Sequence, residues 1–437
     1  MSELAILGGK PVRARSFEPW PQYLPADAQR VQEVVESRHW GGYPVPSRLA
    51  GEFAERFAEM HDAKYAQCIT NGTIALVAAL QAAGIGFGDE VIVPAYTWDG
   101  TATAVLFVGG VPVFADIDPD TYCLSVDAVR KAITPRTRAI LPVHLAMRFV
   151  DMAGLMNLAE EHGLKVIEDS AHAHGGKFCG KGAGSIGDFG CFSFQESKLM
   201  TAGEGGIVIT SNLEYFERLQ SIVNCGRASI TDQFKSRVLG SNYRMTELQA
   251  ALLIGQIEML PEFAAKRAHS AKRLGEALGT IKGVRPLPPQ PAITRDTIYC
   301  YVFQYRPDPR LVSRDLFAAA LDAEGIPCDG RFYEAVYRSD LFYATPQNSP
   351  QLTIGRDHPV DYTQEPCPVT ERAAYEEAIW LPQFLLIGKD EDVDDIATAV
   401  AKVMRNIEAL TGADPALAGL KGMSRAERPK HERQKNY

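Results

Sequence analysis

The sequence predicts an α/β protein built on a doubly wound, mostly parallel but mixed sheet, followed by a smaller second domain. Three observations carry this. Between residues 65 and 210, short and continuously apolar runs alternate with helical patterns. Two strand-like runs at the end of that stretch follow one another with no full helix between them. Past about residue 280 the chain turns proline-rich before new strand and helix patterns begin.

YAQCIT (65–70), EVIVPA (90–95), VPVFADI (111–117), RAILPVHL (138–145) and KVIEDS (165–170) are short, apolar and rich in β-branched residues, which suits a sheet covered on both faces. Helices lie between them. The clearest runs from Asp151 to His162, where Met152, Leu155, Met156 and Ala159 share one face, Asp151 stands as N-cap and Gly163 follows the end. Such alternation makes βαβ units and parallel pairing. FGCFSF (189–194) and GGIVIT (205–210) lack a crossover helix, so the sheet is expected to be mixed. Beyond GVRPLPPQPAITRD, the stretch YCYVFQYRPD reads as a strand, and a helix is expected near 390–409 with Val393, Ile396, Val400, Val403 and Ile407 on one stripe and an acidic first turn. The expected organisation is therefore a large domain with an N-terminal arm over 1–280, a small domain over 281–410, and a polar, mobile tail over 411–437 ending in SRAERPKHERQKNY.

With 437 residues, 46% of them hydrophobic and 23% charged, the chain can bury a large core divided between two or three domains. Its 45 basic and 54 acidic residues give a net charge of −9, no footprint for nucleic acid or an anionic membrane. Small-molecule chemistry is the expectation. No apolar leader and no long uninterrupted apolar run is present, and the eight cysteines are scattered without paired spacing, as suits reduced thiols in a cytoplasm.

In open α/β sheets ligands sit past the carboxyl ends of the strands. There, ITNGTIAL offers Gly72 and Thr73 at the start of an apolar helix, either a phosphate cradle or simply a capped turn. VIEDSAHAHG places Glu168 and Asp169 at a strand end, as a functional carboxylate or as half of a structural ion pair. VPAYTWDG sets Tyr96 and Trp98 beyond another strand, as ligand platform or as core. FSFQESKLMTAGEGG puts Lys198 in a loop too glycine-rich to be ordinary core or surface. His172 and His174 near Asp169 lack a third ligand at useful spacing, so no metal is expected. GKGAGSIGDFG is followed by no amphipathic helix, which counts against a dinucleotide loop.

A phosphate cradle, a strand-end aspartate, an aromatic plate and a lysine in a glycine loop are together the set needed to hold pyridoxal 5′-phosphate, with the lysine forming the Schiff base and the aspartate pairing with the ring nitrogen. With TNGTIAL, PAYTW, EDSAHAHG, FSFQESKLMTAGEGG and GSNYRMTELQAALL in that order, the chain resembles the DegT/DnrJ/EryC1/StrS sugar aminotransferases, enzymes of the pyridoxal-phosphate transferase fold type I. The resemblance implies a seven-stranded mixed sheet in the large domain and an α+β small domain. It implies Lys198 as Schiff-base lysine, Asp169 as partner of the ring nitrogen, Trp98 as the plate on the ring, and His172 as a contact to its edge or phenolic oxygen. Gly72, Thr73 and Ser193 match phosphate contacts. Asn242 matches a residue that reaches the phosphate of a neighbouring subunit, which implies a homodimer with shared sites. The implied reaction is ping-pong transfer of an amino group from glutamine or glutamate to a keto sugar or keto-cyclitol. Gln195, GSNYRM and YVFQY look most like the branch acting on scyllo-inosose-type ketones and the aminohydroxybenzoate synthases; nucleotide-sugar aminotransferases and a non-catalytic regulator on the same fold are the alternatives. Where the family has HLYG or HLFG, this chain has His144, Leu145, Ala146, Met147 and Arg148. Arg148, with Trp40, Tyr43, Tyr243 and Arg244, is a candidate for the substrate rim.

Overall fold

Seven strands make the main sheet: β1 (Tyr65–Ile69), β2 (Glu90–Pro94), β3 (Val111–Ala115), β4 (Thr137–Ile140), β5 (Lys165–Asp169), β6 (Phe189–Ser193) and β7 (Gly206–Thr210). Their order across the sheet is β1-β7-β6-β5-β4-β2-β3. All pairings are parallel except those of β7, which runs antiparallel to both β1 and β6. The two runs without a crossover helix are thus the source of the mixed sheet. This computed structural model describes residues 3–43, 47–146, 148–227, 238–306, 312–364, 367–413 and 415–423.

β2, β6 and β7 are buried at every position, which is why their sequences are continuously apolar rather than alternating. β4 is shorter than RAILPVHL suggested. Pro142 has no N–H to donate, and pairing resumes only as the Val143–Asp169 bridge, with Asp169 N–H reaching the Pro142 carbonyl at 2.8 Å. The helix Met152–His162 has Asp151 as its N-cap, accepting from Gly154 N–H, and ends at Gly163 with φ 64°, a left-handed cap that favours glycine. The apolar helix Gly72–Ala82 covers the sheet and is capped by Asn71, whose side chain accepts from Ile74 N–H.

A 32-residue helix, Glu247–Leu278, opens with a Thr246/Gln249 capping box and leads from the main sheet to a second unit. That unit holds an antiparallel sheet of Val284–Pro286, Cys300–Tyr305 and Ala378–Pro382, backed by helices Arg314–Ala323 and Asp390–Arg405. In the last helix Val393, Ile396, Val400 and Val403 are buried under an acidic first turn, as expected, but the helix ends at Arg405, and Ile407, expected on the same stripe, is half-buried in a following 3₁₀ turn. The N-terminal arm, expected with the large domain, touches both units: Trp20 Nε1 donates to the Glu196 carbonyl at 3.0 Å, while residues 5–13 lie against the second unit. Glu324, fully buried, accepts from Ala5 and Val12 N–H at 2.9 and 3.0 Å and pairs with Lys402 at 2.8 Å. Arg13 reaches Asp392 and Asp395 at 2.7 and 2.8 Å. Of the stretch expected as a tail, residues 415–422 form a 3₁₀ segment held by Lys421, which pairs with Asp322 and donates to the Cys328 carbonyl. Residues 424–437 lie outside the described ones. Among the described residues no helix is long and apolar enough to cross a membrane.

Candidate active site

The ends of β1, β2, β5 and β6, the 195–198 turn, and three aromatics of the second unit enclose a cavity of about 650 Å³. Gly72, Thr73, Trp98, Asp169, His172, Ser193 and Lys198 all line it, so seven of the residues singled out in the sequence converge there.

At one end, Gly72 and Thr73 begin the helix that follows β1 and face Ser193 at the end of β6. A Cβ on Gly72 would lie 2.6 Å from the Ser193 Cβ, so only glycine lets this turn approach the strand end. The result is a helix N-terminus whose unpaired N–H groups meet a serine hydroxyl, a neutral cradle for an anion.

At the other end stands Asp169. Its Oδ2 accepts from Thr101 Oγ1 at 2.9 Å and its Oδ1 from Ala171 N–H at 3.2 Å. Burial pushes this carboxyl above the usual carboxylate range, against the two hydrogen bonds and the positive charge of Lys198. Its neighbour Glu168 faces the opposite side of the sheet and never reaches the cavity. Glu168 accepts from His144 Nε2 at 2.8 Å and from Gly184, Ile186 and Gly187 N–H at 2.8, 2.7 and 2.6 Å. The GKGAGSIGDFG loop is therefore the wrapping of a structural carboxylate.

Trp98, 39% exposed, forms the wall past β2, and a Cβ on Gly100 would come within 2.7 Å of its indole and 2.9 Å of Thr73 Oγ1. Tyr96, considered with it, is core: buried, its hydroxyl accepting from Trp380 Nε1 at 3.0 Å. His172 is held on three sides. Ala146 N–H donates to its Nδ1 at 3.2 Å, which leaves the proton on Nε2 to meet Tyr333 Oη at 3.2 Å, and its ring stacks on Tyr299 at 4.0 Å. Burial, reinforced by Lys198 and His174, holds its pKa well below the ordinary value, so the imidazole is neutral. His174 is a core histidine, bonded through Nε2 to the Ser193 carbonyl. Lys198 Nζ lies 4.6 Å from the Tyr299 ring centroid.

Two groups of candidates fall elsewhere. Arg148, expected at the substrate rim, is 6% exposed outside the cavity and donates to the Leu287 carbonyl at 2.9 Å, with Asp296 as its charge partner. A guanidinium so buried serves the junction with the second unit, not a substrate. Met147 lies outside the described residues; Ala146 takes the left-handed φ of 57° and passes its carbonyl to Tyr299 N–H at 3.1 Å. Trp40, Tyr43, Asn242, Tyr243 and Arg244 form a separate cluster, off this chain's cavity. Trp40 and Tyr43 are 53% and 54% exposed, Asn242 is exposed, and Arg244 donates to Asn224 Oδ1 at 2.9 Å with its guanidinium 5.8 Å from the Tyr43 ring. Tyr243 is half-buried, its carbonyl accepting from Thr70 N–H at 2.9 Å.

Sequence reasoning missed Thr101, Ser197, Tyr299, Phe332 and Tyr333. Thr101 carried a signal, a threonine beside Thr103 in a helix, GTATAVLF, that is otherwise apolar. Tyr299 and Tyr333 did not, because a buried aromatic beside a strand is ordinarily core.

The residues present fit pyridoxal phosphate: an anion cradle, a buried carboxylate and an amine line one cavity. Residues 24–401 match the model of the DegT/DnrJ/EryC1/StrS aminotransferase family. A protein of Streptoalloteichus tenebrarius provisionally named an L-glutamine:3-amino-2,3-dideoxy-scyllo-inosose aminotransferase is 43% identical, over 94% of this chain and 99% of that protein. The L-glutamine:2-deoxy-scyllo-inosose aminotransferase of Streptomyces fradiae is 38% identical, over 93% of this chain and 98% of that protein. Among solved structures, 3-amino-5-hydroxybenzoic acid synthase superposes with a TM-score of 0.80 at 32% identity, covering 90% of this chain and all of that one. A lysine, an aspartate and a phosphate cradle in one cavity, on this sheet and with these relatives, make the chain a member of the DegT/DnrJ/EryC1/StrS aminotransferase family, whose fold is that of the pyridoxal-phosphate-dependent transaminases.

Proposed function

We propose that this aminotransferase carries an amino group from glutamine or glutamate to a keto-cyclitol, with pyridoxal phosphate held by Gly72, Thr73, Ser193, Trp98, Asp169, His172 and Lys198. The single observation that supports it most is the shared cavity of Lys198 and Asp169. The relatives' names support the choice of donor and ketone class.

When bound, pyridoxal phosphate supplies an aldehyde that condenses with amines and a ring that takes up electron density. Gly72 and Thr73 N–H and the Ser193 hydroxyl receive its phosphate. Asp169, whose ionised form is disfavoured by burial, regains it beside a protonated ring nitrogen and keeps that proton in place. Trp98 covers one face, and the neutral His172 borders the ring without adding charge. Lys198 Nζ would hold the aldehyde and, once freed, would serve as the base and acid that moves the proton to and from the carbon bearing the amine.

Asn242, Tyr43 and Arg244 do not line their own cavity, which supports placing them at the site of a neighbouring subunit in a homodimer. Borohydride reduction followed by peptide mapping tests the anchor: the adduct is expected on Lys198, and an adduct elsewhere overturns the assignment. Offering the glutamine-loaded protein a keto-cyclitol, a nucleotide-linked keto sugar and an aminohydroxybenzoate-type precursor tests the acceptor. Return of the aldehyde-form absorbance only with the second or third transfers the reading to those branches.

A further inference from the structure

The geometry points to Gln195 as a specificity-determining residue: its carboxamide N–H₂ donates to a hydroxyl flanking the carbonyl of a polyhydroxylated ring ketone. This deepens the function proposed above and rests on it. Gln195 Oε1 accepts twice from Ser197, from the backbone N–H at 3.0 Å and from Oγ at 2.7 Å. Two donors on one oxygen fix the amide orientation, since the flipped amide would set N–H against N–H. The Ser197 hydroxyl has spent its proton on Gln195, so its 2.8 Å contact with Tyr299 Oη is a hydrogen bond donated by the tyrosine. A directed chain thus runs from Tyr299 through Ser197 to Gln195.

The chain is anchored at its far end. Tyr299 is 3% exposed, stacked on His172 at 4.0 Å and fixed through its N–H to Ala146. Oε1 being occupied, planarity turns Nε2 away from Ser197, and Gln195 lines the same cavity as Lys198. Among the described residues no acceptor is recorded for Nε2. Lys198 N–H bonds to the Gln195 carbonyl at 2.9 Å, so the donor stands on the same turn as the amine that the ketone carbon must approach. An uncharged N–H₂ matches a hydroxyl oxygen, and a pre-set donor discriminates strongly against a ligand that leaves it unfilled.

The test compares unsubstituted protein with Gln195→Met, Ser197→Ala and Tyr299→Phe, each reconstituted with pyridoxal phosphate. The amino group is loaded from glutamine and followed by absorbance. The second half-reaction is then measured with a polyhydroxylated cyclohexanone and with an analogue lacking hydroxyls on both carbons beside the carbonyl. Calorimetric binding of each ketone to the loaded protein supplies a readout apart from turnover. Unsubstituted protein should prefer the hydroxylated ketone by about 100-fold, and Gln195→Met should bring the preference near unity while affecting the ketone step at least about tenfold more than the glutamine step. Ser197→Ala and Tyr299→Phe should reduce the preference partly and add nothing to Gln195→Met, as members of one chain. Normal loading with the preference intact in Gln195→Met overturns the inference alone, as does an equal loss in both steps. Failure of the unsubstituted protein to load from glutamine or glutamate overturns the underlying reading.

Discussion

Glu168 and Asp169 are adjacent carboxylates on one strand, and the two faces of the sheet treat them in opposite ways. Glu168 is surrounded by four donors, three of them backbone N–H groups of a loop folded around it. Asp169 has two, and it borders a cavity shared with a lysine. The first is satisfied by the fold and holds the 184–187 loop to the sheet. The second is left short of charge compensation, which is the condition in which a carboxylate retains a cationic ligand. A site differs from a core in what it leaves unfilled.

Substitutions can break or sharpen that contrast. The largest effect belongs to Lys198→Ala, expected to lower transamination by about 10⁴-fold or more while pyridoxal phosphate still binds noncovalently; single-turnover absorbance measures it. Asp169→Asn should lower turnover by about 10²- to 10³-fold without destabilising the fold. Glu168→Gln should do the reverse. It sets an amide N–H₂ among N–H donors at a fully buried position, costing about 2–4 kcal/mol by urea titration and leaving turnover per folded molecule within about threefold. Large loss of activity without loss of stability in Glu168→Gln would erase the distinction.

Thr101→Val removes one of the two donors to Asp169 at a buried site and should cost about 1 kcal/mol, with weaker cofactor retention seen by equilibrium dialysis. The smallest effect is on the cofactor-free protein. Burial raises the Asp169 pKa in the folded state above its unfolded value, so the folded state holds this proton to higher pH. Its contribution is therefore favourable at low pH and lost as pH rises through that range. Cofactor-free Asp169→Asn should then be slightly more stable than the unsubstituted protein near neutral pH, with the gain vanishing as the pH falls through the ordinary carboxylate range. A gain that persists at low pH would assign it to something other than this carboxylate.

Much of this was legible in the letters. The alternation of apolar runs and helical patterns, the glycine-rich turn after β6 and the punctuation after each strand are local, and they place Lys198, Asp169, Gly72 and Ser193 at strand ends without reference to anything distant. Arg148 shows where such reading stops. A charge in a loop beside the site read as a candidate for substrate, but its fate depends on Leu287 and Asp296, more than a hundred residues away. The N-terminal arm is the same case, since Glu324 and Asp392 claim it from the far end of the chain.

By itself the sequence determined the sheet, its strand ends and the chemistry gathered there, because backbone periodicity and turn residues act within a few positions of themselves. The family motif pointed to Asp169; only the tertiary structure gave the physical ground, turning Asp169 to the cavity and Glu168 to the 184–187 loop, and only it decided that Tyr299, Ser197 and Gln195 form one directed chain. On a strand buried on both faces the pattern of period two is silent about which face holds the ligand, and a hydrogen bond between residues a hundred apart leaves no trace in either neighbourhood.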